Sequence, residues 1–238
     1  MKTNTVIFDK DGTLLDFDAL WVPVAESAIR RIKKAANCET VSTELLLRGL
    51  GVENGITSAN GTLCYGTYGE IAKQIGKVLA EHGHACEEDN LIQWTTEAFH
   101  ESVTAGVIKP TCENLPEVLA ALKEAGVKLV LVTADDAVMT EKCLRQLQIA
   151  SYFDAVFTDD GIHPGKPDPY MIHTYCEREG IDRSCVSMVV DTLTDMEFAR
   201  NGGIRGIGLA KTRENRDVLR QKADVVLNSL TELLTNLP

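Results

Sequence analysis

Two aspartates stand one residue apart in "VIFDKDGTLL": Asp9 and Asp11 follow an apolar run and precede Gly12 and Thr13. Two more, Asp191 and Asp195, lie in "VVDTLTD" behind another apolar run, while Thr133 closes "VKLVLVT" and Lys166 sits in "HPGKPDP". If the ends of these runs converge, four carboxylates share one pocket, and each pair of charges about 4 Å apart repels by roughly 4 kcal/mol at an effective dielectric near 20. Such a cluster requires a cation. Oxygen donors suit a hard ion, and Mg²⁺ best matches a site in which a few carboxylates hold the ion while it keeps waters for a phosphate.

The elements that would bring these residues together are legible in the apolar pattern. Runs of strand length recur as "TVIFD", "VKLVLVTAD", "YFDAVFTD", "CVSMVVD" and "IRGIGLA". They are continuous rather than alternating, as expected of strands covered on both faces. Helical segments lie between them, such as "NLPEVLAALKEAG", with Pro116 near its start and Gly126 at its end, and "AVMTEKCLRQLQI". A late "ADVVLNSLTELLTNL" adds an edge strand and a closing helix. The order predicts an α/β fold with a parallel sheet between two helical layers. Ligands of such sheets bind outside the carboxyl ends of the strands, where the six residues fall.

The first strand ends near Asp9 and the second begins only at about Val127, far beyond the dozen or so residues that a crossover needs. The intervening pattern is helical, in "ALWVPVAESAIRRIKKAA", "YGEIAKQIGKVLAEHG" and "EDNLIQWTTEAFHESV". This predicts an α-helical domain at 17–109 inserted into a core formed by 1–16 and 110–238, with Gly106 and Pro110 in linker positions. Residues 49–66, "GLGVENGITSANGTLCYG", are rich in Gly and Asn and read as a loop. Trp21 and Trp94 are expected in the core, and Asp16 and Asp18 are expected to end the turn after the first strand.

These residues match in order and context the four motifs of the haloacid dehalogenase-like (HAD) hydrolase superfamily, which the chain resembles over nearly its whole length. "FDKDGTL" is similar to the first motif, the strand end at Thr133 to the second, "GKPDP" to the third and "DTLTD" to the fourth. The helical insertion resembles the cap of the phosphoglycolate-phosphatase-like and phosphoglucomutase-like branch. The resemblance implies a Rossmann-like three-layer α/β/α core and Mg²⁺-dependent phosphoryl transfer through an aspartyl-phosphate. It implies that Asp9 is the nucleophile and Asp11 the general acid and base, with Thr133 and Lys166 binding the phosphoryl oxygens. Asp9, the backbone carbonyl of Asp11 and Asp191 would hold Mg²⁺, with Asp195 supporting the metal site. Gly12 suits a tight, positive-φ backbone there. Two departures from the family pattern stand beside these motifs: Val190 precedes Asp191 where Gly is usual, and Ala134 follows Thr133 where many relatives carry Asn.

Composition narrows the partners. The formal net charge of -11 argues against nucleic acid and anionic membrane surfaces. No apolar run approaches the roughly 20 residues of a membrane span, and the N-terminus reads directly into a strand, so a soluble cytoplasmic protein is expected. The 7 cysteines form no C-x-x-C pair and are expected to be reduced, and His82 and His84 lack further soft ligands nearby. The expected partner is a small phosphorylated metabolite, of phosphoglycolate or sugar-phosphate type. Arg48, Asn60, Thr62 and Tyr65 of the insertion are candidates to meet its leaving group, and Arg48 reads equally as a surface cation. A phosphomutase that returns the group to a sugar, and an idle protein that binds a phosphorylated ligand, are the alternatives. Oligomeric state is not legible in the sequence.

Overall fold

The first strand, β1 (Thr5–Phe8), is a run of β-branched and aromatic residues, and all four are buried. The computed structural model describes residues 3–58 and 60–236. Residues 1, 2, 59, 237 and 238, and with them the extreme ends of the expected core segments 1–16 and 110–238, lie outside the described residues. After β1 the chain runs through α1 (Phe17–Ala35), α2 (Thr43–Gly49), β2 (Val52–Glu53), β3 (Ile56–Thr57), α3 (Thr62–Tyr65), α4 (Tyr68–Glu81) and α5 (Glu88–Ser102). It then continues through α6 (Leu115–Glu124), β4 (Lys128–Val132), α7 (Ala137–Gln146), β5 (Ala155–Phe157) and α8 (Tyr170–Glu179). Last come β6 (Val186–Val190), α9 (Leu193–Asn201), β7 (Arg205–Leu209), α10 (Arg213–Leu219), β8 (Val225–Leu227) and α11 (Leu233–Asn236). The chain divides into two compact units, Met1–Asp16 with Ile108–Pro238, and Phe17–Val107.

The first unit is built on a parallel sheet in the order β5-β4-β1-β6-β7-β8. Because side chains alternate across a strand, its apolar runs serve two layers. Val6, Phe8, Leu129, Leu131 and Val189 pack with Leu115, Val118, Leu119 and Leu122 of α6. Ile7, Val130, Val132, Met188 and Val190 pack with Ile172 and Tyr175 of α8 and Phe198 of α9. Each such fully buried side chain stabilises by about 1.5–3 kcal/mol. The fold is the α/β sheet between helical layers that the runs foretold. In register, Phe8 pairs with Leu131 of β4 and Val189 of β6, so β1, β4 and β6 end almost level. From β5 the chain crosses to β6 on the other side of β1, which makes the end of β1 the point where strand order reverses.

The second unit has its own core. Val24, Ala25, Ala28, Ile29 and Ile32 of α1 fall on one helical face and pack with Ile75 and Leu79 of α4 and Leu91, Ala98 and Phe99 of α5. Trp21 and Trp94 pack against this core, as expected. Pro23 inside α1 has no N–H for the carbonyl of Ala19, which accepts instead from Val107 N at 3.0 Å. Helix α4 starts in a capping box: Thr67 accepts from Glu70 N, and the Glu70 carboxylate accepts from Thr67 N.

Two expectations are corrected here. Residues 49–66 are not simply a loop, because they hold the hairpin β2–β3 and the short helix α3. The turn residues Asn54 and Gly55 have φ of 52° and 76°, the pair of positive values that an Asn-Gly hairpin turn adopts readily, and Val52, Thr57 and Leu63 are buried. Asp18 does not end the turn after β1, because it lies in α1 and its Oδ1 accepts from Thr57 N of β3 at 2.9 Å. Asp16 does lie at the end of that turn, where its N donates to Lys109 O at 2.8 Å beside a bridge between Leu15 and Pro110. Among the described residues no helix is long and apolar enough to cross a membrane.

Candidate active site

Strand β1 carries its ladder one residue further, with Asp9 N donating to Val189 O at 3.0 Å. The alternation that separates Ile7 from Phe8 therefore also sends Asp9 and Lys10 to opposite sides. Asp9, only 7% exposed, meets Lys166 Nζ at 2.5 Å, and the same ammonium reaches Asp195 Oδ1 at 2.8 Å. Lys10 instead lies by Asp11 Oδ1, at 2.7 Å, and Asp135 Oδ2, at 2.9 Å.

The turn after β1 is closed by Gly12 N on Leu15 O, 2.7 Å, and by Leu14 N and Leu15 N on Lys10 O, each 3.0 Å. Gly12 has φ +82°, and a Cβ there would fall 1.8 Å from Asp191 Oδ2, so only glycine lets that carboxylate lie against the turn. Thr13 Oγ1 donates to Asp191 Oδ1 at 3.3 Å. Asp191 follows β6, and Thr192 then caps α9 by accepting from Asp195 N at 3.2 Å. The Thr192 hydroxyl also donates to Asp195 Oδ2. Asp195 thus serves both as a first-turn helix acid and as a member of the site.

One carboxylate oxygen from each of Asp9, Asp191 and Asp195 lies within 4.8 Å of the others. Of the four carboxylates expected here, the structure brings three together with Lys166. The carboxylate of Asp11 is turned toward Lys10 and is not one of the three. Thr133 follows β4, buried, and its Oγ1 accepts from Asp135 N at 3.2 Å. Val190 is fully buried in the layer of α8 and α9, while Ala134 is exposed. Arg48 is an exposed cation 3.8 Å from Glu53, in line with its surface reading, and Tyr65 is half exposed. His82 Nδ1 lies 2.8 Å from Val78 O at the end of α4.

Three carboxylates against one ammonium leave the cluster short of positive charge. Burial first, and then the neighbouring Asp195 and Asp11, push the Asp9 carboxyl up to about 7 against the pull of Lys166. Burial, with Asp9 and Asp195 beside it, likewise holds Asp191 well above the usual carboxylate range. For Lys166 burial disfavours the charge, but Asp195 and Asp9 outweigh it and keep the ammonium charged far into alkaline pH. An all-oxygen donor set with unneutralised charge fits a hard divalent cation, and the bare turn at Gly12 leaves room for the Asp191 carboxylate in that set.

The position of Lys10 was not anticipated. A lysine between two aspartates reads as a solvated charge, yet it is 1% exposed. The available signal was parity, because Lys10 shares the strand face of Val6 and Phe8.

The chain as a whole is similar to known proteins. The family described as haloacid dehalogenase-like hydrolase matches residues 3–203. A phosphoglycolate phosphatase of Vibrio parahaemolyticus is 26% identical over 96% of this chain and 93% of its own. An N-acetylmuramic acid 6-phosphate phosphatase of Pseudomonas aeruginosa is 27% identical over 86% of this chain and 80% of its own. Among solved structures, a "predicted phosphoglycolate phosphatase" from Haemophilus somnus superposes with a TM-score of 0.73 at 19% identity, over 99% of this chain and 98% of that one. That last likeness concerns the fold.

Proposed function

The chain belongs to the haloacid dehalogenase-like hydrolases, and from that premise we propose that it is a Mg²⁺-dependent phosphatase of small phosphorylated metabolites. The substrate class is that of phosphoglycolate and sugar phosphates, in keeping with the two curated relatives. The observation that carries the proposal is the meeting of Asp9, Asp191 and Asp195 with Lys166 at the ends of β1 and β6.

In this reading Asp9 attacks phosphorus through a carboxylate oxygen, the bond to the leaving oxygen breaks, and an aspartyl-phosphate forms on Asp9. Asp11 gives its proton to the leaving oxygen, then takes one from the water that attacks the phosphoaspartate, which frees inorganic phosphate and restores both carboxyls. Lys166 and Thr133 bind the phosphoryl oxygens and offset the charge that develops in transfer. Asp9, Asp191 and Asp195, with the Asp11 carbonyl, would hold Mg²⁺. When bound, the ion supplies charge neutralisation that lets the nucleophile and the phosphate approach each other. The unit Phe17–Val107, which contributes no residue to the acidic cluster, is assigned the role of a cap that selects the leaving group.

The experiment is hydrolysis of p-nitrophenyl phosphate and a panel of phosphorylated metabolites with and without Mg²⁺. Activity that needs the metal and disappears in Asp9→Asn is expected. Undiminished hydrolysis by the variant would refute the mechanism.

A further inference from the structure

Lys10 is a buried ammonium for which the reaction above has no task. An ammonium taken out of water is unfavourable unless partners satisfy it. Its partners are Asp11 Oδ1 at 2.7 Å and Asp135 Oδ2 at 2.9 Å, the latter an ionic contact without hydrogen-bond alignment, with Cys143 Sγ of α7 at 4.0 Å. Asp135 is itself anchored: its N donates to Thr133 Oγ1 at 3.2 Å, and its carbonyl accepts from Asp159 N, beyond β5, at 2.9 Å. A line of contacts thus runs from the ends of β4 and β5 through Asp135 and Lys10 to one oxygen of Asp11. A carboxylate on a turn can otherwise occupy several rotamers, and proton transfer tolerates little misplacement.

We propose that Lys10 and Asp135 are positioning residues that fix the Asp11 carboxylate for proton transfer to the leaving group and from water. The proposal rests on the phosphatase reading and adds two residues to it. It differs from mere charge balance in what it predicts for substrates that need no proton.

The test compares an alkyl phosphate, whose leaving oxygen must be protonated, with 2,4-dinitrophenyl phosphate, whose phenolate departs unaided. In Lys10→Met, kcat on the alkyl ester is expected to fall about 100-fold with KM nearly unchanged. With the dinitrophenyl ester the variant should keep a burst of phenolate at the wild-type rate, followed by slowed turnover, because the water step still needs Asp11. Asp11→Asn should give the same pattern. Asp135→Asn leaves the Lys10–Asp11 contact in place and should give a weaker version, about 10-fold. It carries the test if circular dichroism shows that Lys10→Met does not fold. A folded variant with wild-type kcat on the alkyl ester, or one in which burst and alkyl turnover fall together, overturns the positioning role. A wild-type protein inert toward both esters would instead defeat the phosphatase reading.

Discussion

At Gly12 the backbone and the site make the same demand. A positive φ disfavours any side chain, and the space for a Cβ is occupied by the Asp191 carboxylate. Gly12→Ala should therefore lower stability by about 1–2 kcal/mol from the dihedral alone, and more from the displaced carboxylate. In urea unfolding the loss should exceed that value, and the Mg²⁺ concentration needed for half-maximal hydrolysis should rise; an unchanged metal requirement would show that Asp191 does not depend on the bare turn. The same cluster sets a pH dependence. Asp9 titrates near 7 in the metal-free fold, above its unfolded value of about 3.9, so between these pH values the folded state holds more protons than the unfolded. Stability must then fall as pH rises through that window, and Asp191 acts in the same direction. Melting in EDTA should drop between about pH 5 and pH 7.5, and Mg²⁺ should raise the midpoint more at the higher pH, since an ion held by this cluster would require the carboxylates in their ionised form. Equal metal shifts at both pH values would contradict this. Asp9, Asp191 and Asp195 were legible because carboxylates behind apolar runs stand out. Lys10 was not, because one charged residue among others reveals no burial unless strand parity is followed through it.

Among the elements, the parallel strands were the most legible. In "TVIF", "KLVLV" and "VSMVV" neighbouring residues rather than alternate ones are apolar, and a strand with helices on both sides buries neighbouring side chains of such a run. The hairpin β2–β3 was missed for the opposite reason: each strand has two residues, too few to show alternation, and its one clear signal was Asn54-Gly55. Asp18 escaped for a related reason, because its partner, Thr57 N, lies 39 positions along the chain and no local pattern joins them. Helix α4 offers a check at this scale. Thr67 accepts from Glu70 N while Glu70 reaches back to Thr67 N. Thr67→Ala should cost about 1 kcal/mol in urea unfolding. In a double-mutant cycle with Glu70→Ala the combined loss should be smaller than the two single losses added, because the Thr67 hydroxyl also donates to Glu70 Oε2 at 3.0 Å and either variant removes that contact. Strict additivity would mean that this side-chain contact contributes nothing in solution.

At the scale of the molecule, two units each enclose a core: Val24, Ile29, Ile75 and Phe99 in Phe17–Val107, and the two faces of the sheet in the other. A segment with its own buried apolar cluster and its own helix caps should fold alone. Excised 17–107 should give a helical circular dichroism spectrum and a cooperative thermal transition; a flat, non-cooperative melt would show that it needs the sheet unit. The exit and return of the chain are laid side by side within the sheet unit, through Asp16 N on Lys109 O and the Leu15–Pro110 bridge. That stitch fixes two adjacent attachment points whatever hangs between them. Evolution can therefore trade one insert for a longer, shorter or differently shaped successor while the aspartates stay where they are, and a lineage can acquire a new diet of esters without relearning how to break them.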